Sequence, residues 1–268
     1  MDRTEKQLFY IKDGELYYID RPVMDCSVSD EARSILEKIV IPEQTPEMFY
    51  LSLIFCIASH RQNYERPASL TRDLSRMSLS RDIGDLLRDS DFVKDTAVLH
   101  GIRWGSVKEK NRVDPAFKYI EKYRGIERLV SDFKAAPMMM RDKLVQDVKW
   151  IAHKTASFWY LCLGGEQLMT LDVHNYRQIA GLGVEVPEEF YRGKRRGNGK
   201  KELRTASVGE YIRIEQETLK LLNGAVSGAM ATTLFWLVGA KMQRGINLHQ
   251  RGLFEEGIRL QFNSPYRR

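Results

Sequence analysis

Trp150-Ile151-Ala152-His153-Lys154-Thr155-Ala156-Ser157-Phe158-Trp159, followed after a short linker by Leu171-Asp172-Val173-His174, is the stretch on which the fold turns. A lysine opens one expected helix, and an aspartate stands eighteen positions later at the entry to the next. Residues 150–154 join the first of these helices to a preceding one, expected over 138–150, through a very short turn of the αα-hairpin type. Trp150, Ile151, Ala152, Phe158 and Trp159 make an apolar setting for Lys154. An amine must shed its proton to act as a nucleophile, which desolvation or a cationic neighbour such as His153 favours. A lysine amine held near a carboxylate can attack a sugar carbon and form a Schiff base. The plainer reading is a lysine stem along apolar surface with its head in water, and an aspartate that only caps a helix.

The rest of the chain reads as helical, with one exception. Leu8 to Ile11 and Leu16 to Ile19 flank Lys12-Asp13-Gly14-Glu15, which predicts a β-hairpin. Helices are expected from Ser29 to about Val40, over 67–77, 79–88, 91–105, 113–123 and 126–133, and from Asp172 to about Ile179. Two long ones should cover 207–222 and 226–241, with a short one at 251–259. Thr45-Pro46-Glu47-Met48 caps a further helix, Met48 to His60, which is apolar on nearly every side and so belongs at the centre of a core. Tyr191 to Arg204 gathers Arg192, Lys194, Arg195, Arg196, Lys200, Lys201 and Arg204 among glycines. That segment reads either as a solvated flexible loop or as a clamp on phosphates.

Composition bounds the class. At 268 residues with 43% hydrophobic content the chain has ample material for a buried core. The net charge of +6 and a pI near 9.1 suit a polyanionic partner, because phosphate contacts release counterions. Cys26, Cys56 and Cys162 are odd in number and far apart, so they form neither a disulfide framework nor a closed zinc site. The five histidines show no paired metal-ligand spacing, and no metal or other cofactor is expected. The apolar runs Phe49 to Ala58 and Ala225 to Ala240 are too short or interrupted to span a bilayer, and the start of the chain has no signal-peptide core. An intracellular, cytoplasmic monomer is the expectation.

The lysine-bearing hairpin helix, the Leu-Asp-Val-His segment and Thr233-Leu234-Phe235-Trp236-Leu237-Val238-Gly239 together resemble the helix-hairpin-helix DNA glycosylases, most of all the archaeal 8-oxoguanine DNA glycosylases. The likeness covers roughly residues 45–258. It implies a mainly α, two-lobed helical fold with a small N-terminal β-hairpin. Residues 1–45 would pack on the lobes, and 46–268 would form the glycosylase domain with its cleft between them. It further implies a bifunctional glycosylase and abasic-site lyase acting on double-stranded DNA that carries a damaged base. Lys154 would be the nucleophile and Asp172 the electrostatic partner. Trp236 would stack on the flipped base, with Tyr64 facing it. Trp150, Ile151, Ala152, His153 and His174 would lie along the DNA backbone. Some members of the superfamily hold an iron–sulfur cluster on four clustered C-terminal cysteines, and no cysteine follows Cys162 here, so no such cluster is expected.

The chain also departs from the pattern. Trp150 and Ala152 occupy the usual hairpin glycine positions. Thr232 stands where archaeal relatives tend to place an acid that contacts the purine, and Leu161 where they tend to place a second lysine. These changes bear on base recognition more than on bond breaking. Oxidised purine, with 8-oxoguanine first, is the expected substrate; a deaminated or mismatched base, or a non-catalytic DNA-binding module, are the rivals.

Overall fold

The structure is a computed structural model that describes residues 8–40, 46–59, 65–78, 90–102, 113–123, 126–149, 151–195 and 201–243. Among these the helices are α1 (Ser27–Ile39), α2 (Pro46–Ala58), α3 (Glu65–Ser78), α4 (Ser90–Leu99), α5 (Val113–Lys122), α6 (Ile126–Ala135), α7 (Pro137–Asp147), α8 (His153–Cys162), α9 (Val173–Gly181), α10 (Val208–Leu222) and α11 (Gly228–Gln243). The strands are β1 (Phe9–Lys12), β2 (Glu15–Tyr18), β3 (Arg21–Pro22), β4 (Lys194–Arg195) and β5 (Lys201–Glu202). The mainly α expectation with a small N-terminal β element holds. The expected helices at 79–88 and 251–259 lie outside the described residues.

Two compact units divide the chain: the described part of Met1–Glu37 with Glu166–Leu253, and the described part of Lys38–Gly165. In the first, β1 and β2 pair antiparallel with Phe9 opposite Tyr18 and Lys12 opposite Glu15. Asp13 and Gly14 have φ of 51° and 80°, the pair of positive values that a two-residue type I′ hairpin requires. The sheet has a third strand, β3, that the sequence did not announce. It turns back through Ile19 at φ 59°, a left-handed conformation that a β-branched residue adopts only under strain. Phe9 buries its ring against Phe235 of α11, with centroids 5.0 Å apart.

The second unit is built on α2, whose residues Phe49 to Ala58 are all buried, as a helix apolar on every side demands. Trp159 of α8 is fully buried against Phe49, with ring centroids 4.7 Å apart. Its Nε1 donates to Ser52 Oγ at 3.0 Å, so the indole is buried without an orphaned N–H. Truncating such a residue to alanine costs about 3–5 kcal/mol. The Cys56 and Cys162 thiols sit 3.7 Å apart in the same core as free cysteines. Lys94 of α4, almost fully buried, donates to Asp114 of α5 at 2.7 Å and to Asp91 at 3.1 Å, tying the two helices together.

Two helices end earlier than their sequence pattern suggests. Instead of running over 91–105, α4 stops at Leu99, where Gly101 at φ 70° closes the last turn by donating to Val98 O while Ile102 N reaches Ala97 O. Likewise α7 stops at Asp147, because Val148 is already extended at φ −109° and ψ 102°. No helix among the described residues is long and apolar enough to cross a membrane.

Candidate functional site

The hairpin is present within the second unit. α7 and α8 pack on one another, and between them Ile151 N donates to Val148 O at 3.2 Å. Ala152 is the N-cap of α8 at φ −104° and ψ 168°, ordinary extended backbone, so alanine replaces the usual glycine there without strain. Its methyl offers no cap to the helix N–H groups. Lys154 lies in the first turn of α8 and is half-buried.

Of the residues expected along a DNA backbone, Ala152 is exposed, whereas Ile151 and His153 have buried side chains. A phosphate contact at His153 would therefore fall to the main-chain N–H, whereas the N–H of Ile151 is already given to Val148 O. Trp150 and Tyr64 lie outside the described residues. The His153 ring is committed elsewhere: its Nε2 is 3.1 Å from Asp142 Oδ1, which also accepts from Arg141 Nε at 3.4 Å. Arg141 is fully buried and donates from Nη1 to Ser157 Oγ at 3.3 Å, one turn beyond His153 on α8. This network fixes the start of α8 to α7. Burial foremost, then the Arg141 charge, lowers the His153 pKa below its usual 6.5, although Asp142 opposes both.

In the first unit the structure explains how Asp172 is held. It is the N-cap of α9, and its Oδ1 accepts from His174 N at 2.9 Å and Asn175 N at 3.1 Å. Asn175 Oδ1 accepts in turn from Asp172 N at 3.2 Å, completing a capping box. The strand-like approach to Asp172 is clamped residue by residue. Met169 N donates to Glu215 Oε1 at 2.8 Å, Thr170 N to Thr232 Oγ1 at 2.9 Å, and Leu171 N to the Tyr211 hydroxyl at 3.1 Å. The Tyr211 hydroxyl donates to Met169 O at 2.8 Å. Asn175 Nδ2 donates to the carbonyl oxygen of Thr232 at 2.8 Å.

Thr232 is thereby an internal brace: both its hydroxyl and its carbonyl serve the segment around Asp172. Leu161 is buried in α8 and presents no polar group. Trp236, four residues along α11 from Thr232, is half-exposed rather than a fully packed core residue. His174 donates its main-chain N–H to Asp172 and packs its Cβ over Gly239. Asp172, His174 and Trp236 thus share the first unit, and Lys154 belongs to the second.

Sequence reading missed Tyr211, Glu215 and Asn175 as the groups that orient Asp172. One signal existed. Tyr211, Ile214, Thr218 and Leu222 mark the buried face of α10, and Glu215 lies on that face, fully buried. The described residues of the basic segment 191–204 also differ from a free loop. Their β4–β5 ladder is antiparallel, and two of their cations are engaged by acids. Arg192 pairs with Glu188 at 2.8 Å; Arg204 pairs with Glu189 at 2.9 Å and Glu210 at 2.7 Å and covers the Phe190 ring. Among the described residues no group of three or more His, Cys, Asp or Glu is placed to hold a metal ion.

No protein-family model and no curated protein matches the chain. Solved structures do. The 8-oxoguanine DNA glycosylase of Methanocaldococcus jannaschii matches with a TM-score of 0.58 at 16% identity, over 83% of this chain and 91% of that one. The 8-oxoguanine glycosylase/lyase of that organism in complex with a 15mer DNA containing 8-oxoguanine matches with a TM-score of 0.58 at 15% identity, over 83% and 94%. The Thermotoga maritima 8-oxoguanine DNA glycosylase matches with a TM-score of 0.58 at 19% identity, over 79% and 92%. On this likeness, and on its helical units with the small N-terminal sheet, the chain has the fold of the 8-oxoguanine DNA glycosylases.

Proposed function

We propose that this chain is a DNA base-excision repair enzyme, a DNA glycosylase with abasic-site lyase activity that removes an oxidised purine, 8-oxoguanine first, from duplex DNA. The observation that supports this most is the setting of Asp172. Three successive main-chain hydrogen bonds, to Glu215, Thr232 and Tyr211, brace the segment leading into Asp172, and a capping box holds its half-exposed carboxylate at the mouth of a helix, in a chain whose fold is shared with enzymes of this class.

In this reading the neutral amine of Lys154 attacks C1′ of the damaged nucleotide. The bond from C1′ to the base breaks, and the base leaves with the bonding electron pair. Positive charge develops on the sugar as it does so, and the fixed Asp172 carboxylate stabilises that charge. The amine–C1′ adduct opens to an iminium. Loss of a C2′ proton then breaks the C3′–oxygen bond and releases the 3′ phosphate, and water frees the lysine. The target nucleotide would be everted for this chemistry, with Trp236 offering a ring to stack on it. Main-chain N–H groups at the start of α8 would serve a phosphate.

A second substrate reading has its own support. The braced Thr232 and the buried Leu161 leave no acid and no second lysine for a purine contact at those positions, which suits a deaminated or mismatched base. Duplexes each carrying one defined lesion, assayed for base release and strand cleavage, separate the two. Release of 8-oxoguanine supports the first; cutting another lesion while sparing 8-oxoguanine supports the second.

A further inference from the structure

The second unit has a concave site that none of the candidate catalytic or DNA-contacting residues named above lines. It has a volume of about 520 Å³ and opens between α5, α6 and α7. Lys118 and Lys122 of α5, Arg128 of α6 and Lys143 of α7 line it, against two carboxylates, Asp132 and Asp147. Arg128 is partly offset by Asp132, 3.9 Å away. Lys143 lies 5.7 Å from the centre of the Tyr123 ring. Lys118 and Lys122 are exposed and four residues apart on one helix, so their like charges repel, an arrangement that an anion between them would reverse.

Two tyrosines share the lining with these charges. Tyr119 and Tyr123 face the cavity with ring centroids 5.4 Å apart and planes tilted by 49°. The Tyr123 hydroxyl is directed to Met140 Sδ at 3.6 Å. That of Tyr119 is buried and makes no hydrogen bond of good geometry among the described residues. Cations set among tyrosine rings suit a phosphate joined to a planar base, and the volume falls within the range of roughly 300–1,000 Å³ usual for small-molecule sites.

We propose that this groove binds the phosphate of a nucleotide, with the base or sugar against the tyrosines. The nucleotide belongs either to a DNA strand or to a free mononucleotide. The strand source rests on the DNA-binding reading above; the free source does not.

The test compares the parent protein with the triple variant Lys118→Gln, Lys122→Gln, Lys143→Gln. A control triple, Lys12→Gln, Lys134→Gln, Lys220→Gln, removes the same charge from exposed positions elsewhere. Equilibrium binding is measured to a short undamaged duplex across salt concentrations, and to deoxyadenosine 5′-monophosphate by calorimetry. For a strand site, the groove variant alone loses about one to two from the slope of log K against log salt. For a free-nucleotide site, the parent and control bind the mononucleotide, the groove variant does not, and duplex binding is unchanged. If the groove variant matches the control with both probes, the proposal is wrong. Neither readout involves Lys154 chemistry, so that result would leave the catalytic reading standing.

Discussion

Gly239 of α11 lies directly under His174 of α9: a Cβ added at Gly239 would stand 2.7 Å from His174 Cβ and 3.1 Å from its Cα. The close approach of the two helices therefore depends on a missing side chain, and the N–H that His174 donates to Asp172 moves with it. Gly239→Ala gains about 1 kcal/mol of helix propensity but forces a backbone shift costing about 1–3 kcal/mol. We expect a net loss of stability in chemical denaturation, with a larger proportional loss of lesion cleavage as the Asp172 cap is displaced. A more stable and fully active variant would contradict this.

Tyr211 is expected to act through the extended segment that leads into Asp172. Tyr211→Phe leaves Leu171 N–H and Met169 O buried without the hydroxyl that served both, at a cost of about 1–3 kcal/mol. Glu215→Gln keeps an acceptor for Met169 N, whereas Glu215→Leu removes it. Thermal melts should rank Glu215→Gln above Glu215→Leu. Equal stability of the two would show that the buried acceptor is unimportant.

The division between what the sequence revealed and what it concealed follows from local and nonlocal causes. The helical hairpin, whose turn was expected at 150–154 although α8 already starts at His153, the capping role of Asp172 and the core position of α2 depend on residues close in sequence, and each was legible. The third strand was hidden because Ile19 is a poor candidate for positive φ. Buried Arg141 was hidden because its partner Ser157 lies on the next helix, a pairing that no spacing rule encodes. Thr232 looked like a lost substrate contact, and its role as a brace for Thr170 and Asn175 needed the tertiary structure.

The pH dependence of stability should carry the signature of His153. Its folded pKa lies below the ordinary 6.5, chiefly through burial and then the Arg141 charge. Below about 6.5 the unfolded chain therefore binds a proton that the folded one refuses. Stability attributable to this residue is thus complete above that pH and is lost on acidification toward the folded pKa. Melts of His153→Gln across that range should show a flatter acid limb than the parent. An unchanged limb would mean that the ring titrates normally.

Glu210 should resist protonation. Arg204 foremost, then Ser207, holds its carboxyl down to about 2 from an ordinary 4.5. Whatever stability this pairing provides is present above 4.5 and disappears as pH falls toward 2, and solvent exposure keeps it small. Carboxyl titration by NMR should find Glu210 depressed in the parent and returned upward in Arg204→Gln. A normal value in the parent would contradict the pairing.

Borohydride trapping on duplexes containing single lesions or an abasic site tests the central claim most directly. The account predicts a covalent protein–DNA adduct that is absent in Lys154→Gln and forms more slowly, by on the order of 10²–10³-fold, in Asp172→Asn. An adduct that persists in Lys154→Gln, or no adduct with any damaged duplex, would contradict it.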